Sequence, residues 1–97
     1  MQTFISLASW TDLGIREIKN SPQRLDSAKS LAKQFGGELL HFYMTMGDCD
    51  MVVISEFPDD DVAAKFLLHL AKGGAVKFKT LKAFPEAAYR DIMRSLG

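Results

Sequence analysis

The stretch "HFYMTMGDCDMVVISEF", residues 41–57, decides the fold, because one short polar turn joins two apolar, strand-like runs. The turn residues are Gly47, Asp48, Cys49 and Asp50, and Gly and Asp favour the tight turn of a β-hairpin. Two acids beside the only cysteine also suggest a catalytic centre. A structural turn is the favoured interpretation. Carboxylates so close along a turn seldom converge on one substrate atom, and acids disfavour an activated thiolate.

Proline and glycine signals divide the rest of the chain into strands and helices. The predicted order is strand, helix, strand, strand, helix, strand, helix, and its first six elements match the split βαβ unit of ferredoxin-like folds. We therefore expect one α+β domain over residues 1–97, a ferredoxin-like βαββαβ fold with an antiparallel four-stranded sheet and an extra C-terminal helix. The predicted strands span 3–9, 38–46, 50–57 and 76–84, and the helices run from Ser21-Pro22 to Gly36-Gly37, from Pro58-Asp59 to Gly73-Gly74, and onward from Pro85.

Alternation along the hairpin leaves both faces of the predicted sheet apolar. The helices of this topology cover one face, so a second subunit is expected to cover the other. The sequence therefore predicts a homodimer in which two sheets pack face to face. One face of the first hairpin strand is predicted to carry Leu40, Phe42, Met44 and Met46, and the other Leu39, His41, Tyr43 and Thr45.

The composition excludes several classes of function. Twelve Lys and Arg balance twelve Asp and Glu, which gives no electrostatic argument for nucleic acid or an anionic membrane. A single cysteine, no basic leader and no long apolar run predict a cytoplasmic protein that does not span a membrane. Two histidines outside any ligand motif predict no metal site, and no phosphate-binding loop indicates a cofactor.

His41 and Tyr43 are the candidate acid–base groups, because they share one strand face and suit proton transfer. A two-residue turn would set His41 opposite Glu56 or Ile54, and a three-residue turn would set it opposite Ser55. An exposed or hydrogen-bonded strand histidine is the favoured alternative, since no spacing rule marks this pair.

Trp10 follows the first strand. Its side chain suits stacking on a ligand, plugging one end of the space between two paired sheets, or packing at a subunit contact. Residues 10–20 are harder to assign, because Thr11 or Asp12 suits the cap of a short helix that Gly14 weakens. A cluster of lysines suits an anion site less well than the protection of a sheet edge by its members on the last strand. The cluster consists of Lys65, Lys72, Lys77, Lys79 and Lys82.

The segments "ISLASWTDLG", "SPQRLDSAKSLA", "GGELLHFYMTMGDCD", "FPDDDVAAKF" and "TLKAFPEAAYRDI" together resemble the GYD domain family over nearly the whole chain. Its Gly-x-Tyr-Asp motif stands here as Gly47, Asp48, Cys49 and Asp50, with Cys49 in the place of the tyrosine. The resemblance implies the dimeric α+β barrel. It offers two functional models: cofactor-independent monooxygenases, and the effector-binding domains of leucine-responsive-type regulators.

Three hypotheses follow for the function. The first is a homodimer that binds a small molecule in the barrel or at the subunit interface. The second is a monooxygenase-like or isomerase-like enzyme that uses His41 and Tyr43. The third is a structural or interaction module with a packed, dry centre. The candidate ligand-binding residues are Ser6, Trp10, His41, Tyr43, Asp48 and Asp50.

Overall fold

A computed structural model describes residues 1–97 and contains the predicted elements in the predicted order. The segment that was hard to assign forms a short helix and one 3-10 turn, Ile18–Asn20. The strands are β1 (Gln2–Trp10), β2 (Glu38–Met44), β3 (Met51–Phe57) and β4 (Val76–Ala83), and the helices are α1 (Asp12–Arg16), α2 (Ser21–Gln34), α3 (Asp60–Ala71) and α4 (Glu86–Ser95).

The four strands form one antiparallel sheet in the order β2-β3-β1-β4. This order places β2 and β4 at the two edges and β1 and β3 in the centre. The prediction of a ferredoxin-like α+β fold is confirmed.

Helices α2 and α3 cover one face of the sheet, here called the helix side. Its core is small, because only 11 of 97 residues are buried. The rings of Phe57 and Phe66 lie 4.8 Å apart at its centre, and small residues of the helices pack around them. The buried cluster consists of Phe4, Ala28, Ala32, Phe57, Ala63 and Phe66. A core this small leaves most of the apolar surface of the chain without a partner.

Strand β2 contains an irregularity that changes which of its residues share a face. Leu39 lies opposite Ser55 on the helix side, whereas His41 lies opposite Ile54 on the other face, with Leu40 as the extra residue of a β-bulge. The prediction that Leu39 shares a face with His41 and Tyr43 is therefore wrong, because the extra residue reverses the alternation. Of the three partners considered for His41, the structure has Ile54, although residues 45–50 connect the strands and the turn is longer than the two residues assumed for that pairing.

Candidate functional site

The hairpin turn between β2 and β3 is held by its own polar groups. The Asp50 carboxylate accepts a hydrogen bond from the backbone N–H of Trp10 at 3.0 Å. The N–H of Asp50 donates to the carbonyl oxygen of Ala8 at 2.9 Å. The Thr45 hydroxyl donates to the Cys49 carbonyl at 2.6 Å, and Asp48 is exposed at the tip. These contacts agree with the structural interpretation of the turn, since Asp50 ties the hairpin to the end of β1.

Trp10 also joins two elements. Its indole N–H donates to the Ser21 hydroxyl at 3.3 Å, and this bond connects the end of β1 to the start of α2. The side chain is half-buried. Trp10 therefore contributes to packing within the chain.

The sheet face opposite the helices is uncovered, and we call it the open face. Its centre is apolar and half-buried, which is unusual for the solvated face of an antiparallel sheet. Leu81 of β4 extends this apolar surface and is more than half exposed, as is Tyr43 of β2. The central side chains are Ile5, Leu7, Val52 and Ile54.

His41 and Tyr43 lie next to each other on the open face. Their rings are stacked, with centroids 6.4 Å apart and planes inclined by 19°. Across the hairpin they face Ile54 and Val52, so no carboxylate lies directly opposite them. Within a single chain this pair is exposed to solvent.

Ser6 is on the other side of the sheet. It is 3% exposed, and its hydroxyl lies 3.0 Å from that of Thr80. Of the candidate ligand-binding residues, Ser6 therefore does not share a face with His41 and Tyr43, because β1 directs its even-numbered residues toward the helices.

Charges on the open face are concentrated at two corners. Glu38 and Glu56 are direct cross-strand neighbours at one end of β2 and β3. Lys77 and Lys79 lie on β4 near the opposite end of the sheet. The acidic and basic corners are therefore diagonally opposed across the apolar centre.

Helix α4 carries a second uncovered apolar surface. None of its residues is buried, and the chain is elongated, with extents of 53 × 31 × 17 Å. Glu86 and Arg90 form an ion pair of 2.8 Å on its polar surface, and Arg94 pairs with Asp91. We call its apolar surface the α4 stripe, and it consists of Ala88, Tyr89, Ile92, Met93 and Leu96.

A cavity of about 680 Å³ lies on the helix side, between the sheet, α2 and α3. Its floor includes the buried Ser6 and Ser55, and Leu31 and Leu67 belong to its walls. The sequence did not predict this cavity. The available signal was the pair of serines at strand positions that alternate with apolar residues toward the core.

None of the helices is long and apolar enough to cross a membrane. No cluster of three or more His, Cys, Asp or Glu side chains is placed to hold a metal ion.

The fold and surfaces define a ferredoxin-like α+β domain with one sheet face and one amphipathic helix left uncovered. The model of the GYD domain matches residues 4–93, so the chain belongs to the GYD domain family, as predicted. It is 36% identical over 88 residues to the "Glutamine synthetase and cystathionine beta-lyase binding protein" of Thermus thermophilus. The matched residues cover 90% of this chain and 93% of that protein. No solved structure is significantly similar to the chain.

Proposed function

We propose that this chain is a protein-binding module that pairs with a second copy through the open face and binds another protein through the α4 stripe. One observation carries the proposal: both apolar surfaces are uncovered in the single chain, with the centre of the open face half-buried and the α4 stripe mostly exposed. Contiguous exposed apolar surfaces mark interaction sites in soluble proteins. The name of the Thermus thermophilus relative, a protein that binds two enzymes, supports a role of this kind.

A second copy is the occupant that suits the open face, because its charges are self-complementary. Two such sheets can pair about a two-fold axis that lies between them and is perpendicular to the diagonal through the charged corners. Rotation about this axis places the acidic corner of each copy against the basic corner of the other. This arrangement also reduces the repulsion between Glu38 and Glu56, which lie side by side within one chain. The predicted homodimer follows from this pairing.

The α4 stripe suits an apolar groove on another protein, since amphipathic helices bind such grooves through residues spaced by three and four positions. Tyr89, Ile92, Met93 and Leu96 have this spacing. A membrane surface is a poorer partner. The two arginines of α4 are balanced by Glu86 and Asp91, so the helix lacks the basic surface that anionic lipid attracts.

Dimerisation is tested by the substitution Ile54→Lys, which places a charge in the centre of the open face. We expect the dissociation constant of the dimer to rise at least about 100-fold, because each copy would bury an unpaired charge. Light scattering coupled to size exclusion measures the molar mass at micromolar concentration. The matched control is Leu68→Lys on the exposed side of α3, which should leave the dimer intact. A monomeric parent protein would contradict the proposal.

Partner binding is tested with the two enzymes for which the relative is named, glutamine synthetase and cystathionine β-lyase. Immobilised full-length protein should bind at least one of them, and Ile92→Glu should weaken binding about tenfold or more, because it places a charge in the apolar contact. The control Ala87→Glu lies on the opposite side of α4 and should have little effect. Equal binding by both variants would exclude the α4 stripe as the contact, and no binding by the parent protein would exclude these partners.

A small-molecule site between the paired sheets is the second candidate. The stacked rings of His41 and Tyr43 favour it, because a second copy would enclose this exposed pair beside the apolar centre. An active site that uses His41 and Tyr43 as acid–base groups is one particular form of such a small-molecule site. Protein that retains its dimeric mass but loses a bound ligand on His41→Phe substitution would support the site. A dimer that releases no small molecule on denaturation, as judged by mass spectrometry, would count against it.

A further inference from the structure

The helix-side cavity is large for a domain of this size. The cavity is partly open to solvent, and its volume of about 680 Å³ lies within the range of clefts that hold drug-sized ligands. It opens between parts of α2 and α3 whose other residues pack together in the core, and it lies on the opposite side of the sheet from the open face.

The floor of the cavity offers one free hydrogen-bonding group. Ser55 is 4% exposed and lies on the cavity floor, and its hydroxyl makes no hydrogen bond within the chain. No buried side-chain polar atom is left both sealed and unpaired. The Ser55 hydroxyl is therefore reached from the cavity itself. Ser6, its neighbour on the floor, is already paired with Thr80.

Three titratable residues line the cavity, Glu17, Arg24 and His69, and none of them belongs to the sheet that forms its floor. Glu17 and His69 are exposed, and the half-buried Arg24 donates through its guanidinium to the backbone carbonyls of Glu17 and Gly14, at 3.2 and 3.4 Å. Next to the floor the lining is aliphatic and aromatic, including Phe42, Met51 and Val53. Burial of an unpaired charge in such surroundings is costly, so a neutral ligand is favoured.

We propose that this cavity binds an uncharged, mainly apolar small molecule whose hydroxyl or carbonyl group forms a hydrogen bond with Ser55. The apolar body of the ligand lies between Leu31 of α2 and Leu67 of α3. The site goes beyond protein binding and does not depend on it. Ile54→Lys, on the other side of the sheet, should leave ligand binding unchanged.

The test is a methyl NMR titration of the full chain with 1-naphthol, with naphthalene and 1-naphthoate as matched probes. Saturable shifts are expected at the methyl groups of Leu31, Leu67 and Met51, and none at Ile54 and Leu81 of the open face. Naphthalene should bind about threefold to tenfold more weakly, because it lacks the hydrogen-bonding group. Naphthoate should bind more weakly still, since the floor has no cation for its carboxylate.

Two kinds of variant complete the test. Ser55→Ala should weaken 1-naphthol binding about threefold to tenfold, whereas Ser9→Ala on the open face of β1 should not change it. Ser55→Leu fills the cavity from its floor and Ala28→Leu fills it from α2, and each should abolish the shifts. If a cavity-filling variant fails to fold, the titration of the unmodified chain with the three probes remains the test. Shifts confined to the open face, no shifts at all, equal affinity of the two serine variants, or tightest binding of naphthoate would each overturn the proposal.

Discussion

Gly14 shows how a single residue is required by its surroundings. The N–H of Thr11 donates to the Ala75 carbonyl at 3.0 Å, and the Thr11 hydroxyl caps α1 by accepting from the N–H of Gly14 at 3.2 Å. These bonds bring the backbone before β4 against α1, where a Cβ atom on residue 14 would collide with the Ala75 carbonyl. Glycine lowers helix propensity, yet here it permits the close approach that connects the start of α1 to the sheet.

Gly14→Ala should therefore destabilise the fold by about 1–3 kcal/mol, because the backbone must move to admit the methyl group. Urea unfolding followed by circular dichroism measures the change. Gly73→Ala is the control, since its Cβ would meet only the Leu70 carbonyl oxygen, at 3.3 Å. A loss no larger than that of the control would show that the backbone adapts freely.

The two acids of the hairpin turn should differ in their effects on stability. Asp50→Ala removes the acceptor of the Trp10 N–H and should cost about 1–3 kcal/mol, because a partly buried donor loses its partner. Asp48→Ala alters an exposed tip and should stay within about 0.5 kcal/mol of the parent. Thermal unfolding of the two variants at one protein concentration compares them. Equal losses would contradict the assignment of Asp50 as the residue that ties the turn to β1.

At the scale of elements, strand and helix order followed from turn signals and periodicity, whereas the bulge in β2 did not. Leu40 is as apolar as Leu39 and Phe42, so alternation alone gave no sign that one residue was extra. The two faces of β2 were therefore assigned correctly from His41 to Tyr43 and wrongly at Leu39. The helix-side cavity was missed for a related reason, because its size depends on how far α2 and α3 lie apart, and no local pattern reports that distance.

Helix α4 should be the least protected helix of the free chain. A ten-residue helix is marginal in water without packing, and α4 buries no residue. We expect its amide hydrogens to exchange within about 100-fold of the unfolded rate, and binding of a partner protein to slow them. Helix α3 is the internal comparison, since it has 12 residues and buries Ala63 and Phe66. Hydrogen-exchange mass spectrometry makes the measurement, and equal protection of the two helices in the free chain would contradict it.

At the scale of the whole molecule, the small core and the apolar open face belong together. A chain of 97 residues buries only a modest share of its surface, and pairing of two copies is a common way to bury more. The proposed second copy was inferred from apolar patterning, which the sequence contains, and the positions of the charged corners came from the structure. The sequence does not identify the proposed partner of α4, since a helix stripe records spacing and polarity but not the shape of a groove.

Reversing the charge of one corner should change which copies of the chain pair with each other. A variant with Glu38 and Glu56 changed to Lys has only basic corners, and one with Lys77 and Lys79 changed to Glu has only acidic corners. Each alone should dimerise more weakly than the parent, whereas an equimolar mixture should form mainly the mixed dimer, because both corner contacts are then complementary. Native mass spectrometry counts the three species. A statistical distribution of dimers would exclude the proposed orientation of the sheets.

The β-bulge at Leu40 also bears on how far assembly can proceed. It interrupts the regular spacing of backbone groups on the outer edge of β2, and Lys77, Lys79 and Lys82 occupy the edge strand β4. Filaments of the cross-β kind grow by adding strand to strand at such edges, without a natural end. With both edges unfavourable, the proposed pairing of copies would use the faces, where two-fold symmetry closes the particle at two copies. In that proposal the extra residue in β2 favours a particle of defined size over a fibre.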